Sequence, residues 1–362
     1  MAKTSHVPNL AKIKVIGLGG AGCNSITRMV REQIQGVEFI AMNTDSQHLA
    51  VTEAQVKVQL GQRLTRGLGA GGDPRIGQKS AEETRDEIGQ LVADTDMVFI
   101  TAGMGGGTGT GSLPVIAELA KQSGALTIAV VTKPFTFEGT NRCEVAEEGI
   151  TNTIDKVDTL VIISNDRLFN LSDQKTGVDG AFKLADEVLC DGVQAIAEVI
   201  TVPGLINLDF ADVKAVLKDA GPSWMSIGRG TGQNRAVEAA REALESPMLD
   251  VSVKGATGVL FNIEGNNTLS LTEVSNAAEV IRQAVDPEAN IIFGVALDQN
   301  LDNEVRLTLI ATGFTTIEAL TGARVDEEMS RLLKSARTEE ELEVPTFLRQ
   351  RRPLSSQRPF AT

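Results

Sequence analysis

Short apolar runs alternate with helical-period segments over the first half of the chain. Lys12–Leu18, Val37–Asn43, Met97–Thr101, Leu126–Thr132 and Thr159–Ser164 read as buried strands. Between them, Gly22–Gln33, Pro74–Leu91, Leu113–Gln122 and Asn141–Ile154 carry apolar residues at helical spacing. Strands this apolar, separated by helices, predict a mostly parallel sheet covered on both faces. Asp73–Pro74 is a helix start, with Asp as the cap and Pro in the first turn. Residues 178–201 read as one long helix, stopped at Val202–Pro203–Gly204.

A second alternating region covers roughly 221–316. Helices are expected at Gln233–Glu245 and Leu271–Val285, and strands at Ser223–Gly228, Gly255–Ile263, Ile291–Ala296 and Val305–Thr312. The strands cluster near its end, which predicts a mixed or antiparallel sheet of α+β type. The pattern therefore divides into a loose lead-in (1–9), a Rossmann-like α/β domain (10–177), a central helix (178–202), an α+β domain (203–316) and a flexible tail (317–362). In the tail, charge blocks and Pro345, Pro353 and Pro359 replace core residues.

Composition narrows the function. With 34 basic and 48 acidic residues the formal charge is −14, which disfavours direct nucleic-acid binding. No transmembrane span or secretory signal is visible, so neither direct membrane insertion nor export is expected and the cytoplasm is the default. Cys23, Cys143 and Cys190 are odd in number and far apart, against a disulfide scaffold. With only His6 and His48 in the chain, neither a metal cage nor a His-based triad is expected.

The glycines carry the chemistry. Gly17-Leu-Gly-Gly-Ala-Gly22 follows a strand and opens a helix, with the spacing G-x-G-x-x-G, and Asp45 ends the next strand where a dinucleotide fold holds a ribose. Glycine lets backbone N–H groups approach a phosphate at a helix start; a tight packing turn is the plainer reading. A second loop, Gly103-Met-Gly-Gly-Gly-Thr-Gly-Thr-Gly111, has the same strand–helix setting and adds the hydroxyls of Thr108 and Thr110. Two such loops suggest a nucleoside di- or triphosphate rather than a dinucleotide. A third segment, Gly67-Leu-Gly-Ala-Gly-Gly-Asp-Pro74, either closes on a terminal phosphate or is a surface loop. Lys79–Ser80 lacks the preceding glycine of a Walker loop.

Gly105-Gly-Gly-Thr-Gly-Thr-Gly111 resembles the signature loop of the tubulin superfamily. With Gly20-Ala-Gly22 and Asn207-Leu-Asp-Phe-Ala-Asp212, the chain from about 10 to 316 resembles the FtsZ family of bacterial cell-division GTPases. The resemblance implies a cytoplasmic protein at the division site that binds GTP or GDP with Mg2+. It implies a head-to-tail homopolymer that meets membrane tethers and other division proteins. Nucleotide contacts are implied at Gly19, Gly20, Ala21, Gly22, Asn24, Asn43, Asp45, Ala70, Gly71, Gly72, Gly103, Gly105, Gly106, Gly107, Thr108, Gly109, Thr110, Thr132 and Pro134. Glu138 and Arg142 fall near the ribose and phosphates, and Asn165, Phe182 and Asp186 at the base.

Phe182 and Asp186 are four apart on one helix face, where a ring can stack on a base and a carboxylate can accept from the N1 and amino groups of guanine. A core ring and a solvated acid are the bland alternative, as a surface ion pair is for Glu138 and Arg142. No protein metal cage is expected; Mg2+ would come with the phosphates and water, near Asn43 and Asp45. The resemblance implies that Asp209 and Asp212, with Asn207, orient the attacking water from a neighbouring subunit. Asp209 is equally placed to cap the helix that follows. An NAD-dependent oxidoreductase and a non-catalytic nucleotide-binding scaffold are the rival readings.

Overall fold

A computed structural model describes residues 11–169, 178–201, 209–246, 253–299 and 301–314. The lead-in, the Pro203–Gly204 stop, Asn207 and the tail lie outside the described residues. Among the described residues ten strands form one sheet, in the order β3-β2-β1-β4-β5-β6-β7-β10-β8-β9. They are β1 (Ile13–Leu18), β2 (Val37–Asn43), β3 (Val56–Gln59), β4 (Met97–Gly103), β5 (Leu126–Lys133), β6 (Thr159–Ser164), β7 (Gly221–Thr231), β8 (Gly258–Gly265), β9 (Asn290–Leu297) and β10 (Glu304–Thr312).

Strands β1 to β6 are all parallel. Strand β7 joins β6 in parallel over only three pairs, Thr159↔Gly221 to Val161↔Ser223. On its other edge β7 pairs antiparallel with β10 over eight. The two expected sheets are thus one, because β7 runs long enough to serve both.

The helices are α1 (Gly19–Arg31), α2 (Ser46–Val51), α3 (Gln62–Thr65), α4 (Pro74–Glu83), α5 (Arg85–Val92), α6 (Thr108–Gln122), α7 (Thr140–Thr151), α8 (Asn165–Phe169), α9 (Val178–Thr201), α10 (Phe210–Leu217), α11 (Arg235–Glu245) and α12 (Leu271–Ala284). Alternate strand residues face opposite layers. Val15, Phe99, Ile128 and Val130 pack with Ile26 and Met29 of α1, Leu189, Val193 and Ile196 of α9, and Val213 of α10. Ile16, Ile100, Ala129 and Val131 belong to the other layer with Ile88, Leu113, Ile116, Ala239 and Ile281. Helix α9 meets both β5 and β9, so a single rod ties the parallel part of the sheet to the mixed part, in which β10 runs antiparallel to β7 and β8 while β9 runs parallel to β8.

Two expectations need correction. The single helix expected over Pro74–Leu91 breaks at Thr84, whose hydroxyl donates to the Ser80 carbonyl and accepts from the Gly61 N–H. The four-residue β3 has no counterpart in the sequence reading; Val-Lys-Val-Gln is too short a pattern to stand out. Among the described residues no helix is long and apolar enough to cross a membrane.

Candidate nucleotide site

Two helices begin side by side above the strand ends. Helix α1 starts directly from β1, and α6 follows β4 through the loop Met104–Gly107. Neither has a side-chain cap or an acid in its first turn. A Cβ built on Gly19 would lie 3.1 Å from the Gly109 nitrogen, so the two helix starts abut. Helix N-termini carry unpaired N–H donors and partial positive charge, and two abutting ones form an anion cradle.

The glycines divide by what surrounds them. A Cβ on Gly17 would sit 2.3 Å from the Gly22 carbonyl oxygen, and one on Gly22 would sit 2.4 Å from that of Thr101. Those two allow helix to pack on strand. A Cβ on Gly20 or Gly106 would meet nothing within 4 Å, so these face open space over the cradle. On Gly111 it would reach 1.9 Å from the Pro74 carbonyl oxygen, so this glycine serves the α4–α6 crossing. The threonines divide likewise. Thr108 shares a 2.6 Å hydroxyl contact with Thr44, while the buried Thr110 hydroxyl accepts the Gly105 N–H at 2.9 Å.

The cleft runs from this cradle to α9. It is lined by Gly19–Ala21, Gly103, Gly106–Gly109, Thr132, Pro134, Glu138, Arg142, Asn165, Phe182 and Asp186, and encloses about 230 Å3. Larger hollows of about 770 and 640 Å3 lie elsewhere, but this cleft combines uncapped helix starts with an unpaired buried acceptor. That acceptor is Asn165 Oδ1, on a residue 5% exposed. Glu138 accepts the Phe135 N–H and pairs with Arg142 at 2.8 Å.

Phe182 is 40% exposed and meets the Phe135 ring edge-on at 5.5 Å; Phe135 stacks on Phe137 at 4.9 Å. This aromatic wall was missed in sequence, although Phe-Thr-Phe stands out in a chain with only 4% aromatic residues. Burial pushes the Asp186 carboxyl up to about 6, against the charge of Arg28 and a bond from Ser25. The Asp186 carboxylate and Asn165 Oδ1 both want N–H donors. Guanine offers two on one edge, at N1 and its amino group; adenine offers an acceptor at N1.

Other nominated residues sit beside the cleft. Asp45 caps α2 by accepting from the Gln47 and His48 N–H groups. The His48 ring stands between Asn43 Nδ2 (3.4 Å) and Asn24 Oδ1 (3.1 Å), tying these residues together just behind α1. In the third loop Ala70 lies against Gly107, while Gly71 and Gly72 border the 770 Å3 hollow. Gly22, inside α1, and Gly105, in the β4–α6 loop, pack against neighbouring backbone rather than along the cleft wall.

Asp209 and Asp212 are far from all of these. Asp209 caps α10 by accepting the Asp212 N–H at 2.8 Å, and both acids are exposed. Phe210 and Lys214 of the same helix line a hollow with Lys12, Asp96 and Gly124, which lie just ahead of β1, β4 and β5. The cleft lies at the other ends of those strands, a strand length away, on the order of 20 Å. Among the described residues no group of three His, Cys, Asp or Glu side chains is placed to hold a metal ion.

The chain matches the Tubulin/FtsZ family, GTPase domain, over residues 12–173, and the FtsZ family, C-terminal domain, over residues 221–315. It is similar to the empty FtsZ dimer of M. jannaschii, with 49% identity, a TM-score of 0.82, and coverage of 84% of this chain and 88% of that one. A point mutant of FtsZ from M. jannaschii matches with the same identity, TM-score and share of this chain, over 92% of its own length. The fold extends to CetZ2 from Haloferax volcanii, solved as a GTPγS-bound protofilament, at 20% identity and a TM-score of 0.72 over 90% of this chain and 100% of that one. The GTPase domain match spans both glycine loops and displaces the NAD-dependent reading of the first. Cradle, cleft and matched domains agree: the chain belongs to the FtsZ family of tubulin-like GTPases, and it binds and hydrolyses GTP.

Proposed function

We propose that the protein is a cell-division GTPase that stacks head to tail into protofilaments and hydrolyses GTP only where two subunits meet. The observation that carries this reading is the separation of donors and acids. The cradle lies at one end of the parallel strands, and Asp209 and Asp212 at the other. One chain cannot bring them together, but a second copy stacked along the strand direction can, and repetition of that contact makes an open filament. In this reading Asn207, Asp209 and Asp212 of one subunit hold the attacking water in line with the terminal phosphate of the next. The M. jannaschii relative is a dimer, which supports self-association.

Within one subunit, the N–H groups of α1 and α6 hold the phosphates, with Gly20 and Gly106 leaving room for them. Phe182 stacks on the base, and Asp186 and Asn165 accept its hydrogens. Glu138 and Arg142 border the ribose. Mg2+ fits as an ion held mainly by phosphate and water, with Asn43 and Asp45 nearby, since oxygen donors suit it and no protein cage is needed. The segments 10–177, 178–202 and 203–316 act as the GTPase domain, connecting rod and C-terminal domain. Membrane-tethering and other division partners hold the filament at the division site in the cytoplasm, and the tail beyond 317 is dispensable for GTP turnover, its removal altering filament association more than catalysis.

The test is GTPase rate per subunit over a dilution series. The rate should collapse as the protein becomes monomeric. A constant rate per subunit down to monomer would sink the shared site and leave Asp209 as a helix cap alone.

A further inference from the structure

Three rings meet where the β5–α7 connection passes the first turns of α9. Phe135 and Phe137 lie nearly parallel, with centroids 4.9 Å apart. Phe182 stands at right angles to Phe135 at 5.5 Å and steeply inclined to Phe137 at 6.5 Å. These separations place Phe182 beside the stacked pair, within interaction range of both rings. Phe135 is buried, whereas Phe137 is exposed and does not line the cleft. Phe182 does line it. Whatever Phe137 does for a ligand must therefore pass through Phe182.

The turn Thr136–Glu138 that carries Phe137 is held from two sides. The Thr136 N–H donates to Asp166 Oδ1 at 2.9 Å, and the Thr136 hydroxyl donates to Oδ2 of the same carboxylate. Glu138 takes the Phe135 N–H and is paired with Arg142. Asp166 directly follows Asn165, whose buried oxygen is unpaired beside the cleft. The carboxylate thus clasps the aromatic turn to the α8 start that carries a cleft residue. A half-exposed phenylalanine on a helix has more than one staggered rotamer open to it. Ordering such a ring on binding would cost affinity, and two perpendicular neighbours order it beforehand.

We propose that Phe137 is a positioning residue for the nucleotide base: stacked on Phe135 and clasped through Asp166, it holds the Phe182 ring in the orientation that stacks on the base. The inference rests on the reading of Phe182 as the base contact. Stacking uses the face of the base and not its hydrogen-bond pattern, so the wall adds affinity without choosing between purines. The phosphates lie on the helix starts and gain nothing from it.

The experiment is calorimetric binding of GDP to the whole chain, diluted to monomer so that no subunit contact contributes. The base-free control is the thermal shift given by inorganic pyrophosphate. Phe137→Ala should weaken GDP about fivefold, and Phe137→Tyr should restore it because the ring is kept. Asp166→Ala should weaken GDP in the same direction. The pyrophosphate shift should stay at its wild-type value in all three. A folded Phe137→Ala that binds GDP as the wild type does overturns the proposal; if it also assembles poorly, Phe137 is an anchor for the next subunit instead. An equal loss for pyrophosphate overturns it too, since the wall would then support the whole cleft. So does a Phe137→Tyr as weak as Phe137→Ala. Should Phe137→Ala fail to fold, undiminished GDP binding by folded Asp166→Ala overturns the proposal in its place. Wild-type GDP affinity in Phe182→Ala is a different failure, because it would remove the base from this wall altogether.

Discussion

The two poles of the parallel sheet have opposite chemistry. At the ends where β1 and β4 finish, α1 and α6 begin without caps, and their N–H donors face a cleft. At the pole where those strands start, α10 begins with the Asp209 cap in place and the Asp212 carboxylate exposed. A side-chain cap contributes about 1 kcal/mol, so a helix start left open beside another open start points to a ligand that satisfies both. One pole is short of acceptors and the other carries spare ones. Under the proposed head-to-tail stacking, this difference is what a site completed by a neighbouring subunit needs.

The sharpest way to break the comparison is at the acidic pole. Asp212→Ala should keep GTP affinity and lose turnover by roughly two orders of magnitude or more. It is a cleaner probe than Asp209→Ala, which also removes the α10 cap. Full turnover by folded, assembled Asp212→Ala in a phosphate-release assay would empty that pole of chemistry. At the donor pole, Gly106→Ser should fold normally and weaken GTP by about 1.4 kcal/mol or more, a tenfold change in affinity, because its new atoms meet only the ligand. Gly111→Ala should instead lower the melting temperature, at a cost of about 3 kcal/mol, since α4 must move aside. Equal affinity in Gly106→Ser would take that glycine out of the cradle.

Between the poles, α9 buries acids against the antiparallel strands. Burial raises Asp191 to about 6 and Glu198 to about 7, with Glu264 adding its charge against Glu198. Groups raised in this way favour the folded state while protonated, so their contribution is present at about pH 4 and is lost as pH rises through 6 to 7. Glu198→Gln should therefore flatten the decline in melting temperature toward pH 8, a gain on the order of 1 kcal/mol there. A slope identical to wild type would show that Glu198 ionises freely. Smallest in functional effect is Ser270→Ala, which breaks the reciprocal cap with Glu273 at the start of α12. Unfolding should be easier by about 1 kcal/mol, with GTP affinity unchanged.

How far the chain could be read beforehand follows from how local each signal is. Strands β2 and β6 fall where the apolar runs place them, Val37–Asn43 and Thr159–Ser164, because a strand buried on both faces needs no partner to be recognised. Apolar periodicity sets the start of α6 five residues late, at Leu113, because its first turn is Thr-Gly-Thr-Gly. The role of each glycine was not legible. Gly106 and Gly111 look alike in a glycine-rich string, and only the position of α4 separates open space from a 1.9 Å clash.

The three-pair seam between β6 and β7 also has a consequence for synthesis on the ribosome. Six parallel strands are complete once Ser164 has emerged, and β7 then docks on them through Gly221–Ser223. Its far edge, facing the place of β10, stays unpaired until Glu304 follows Thr231, several seconds later at ordinary elongation rates. An open strand edge is a template for pairing with another chain. A nascent chain halted just after Thr231 should therefore self-associate through β7, and one halted after Phe314 should not pair by that edge; cosedimentation of the two stalled products without GTP would tell them apart.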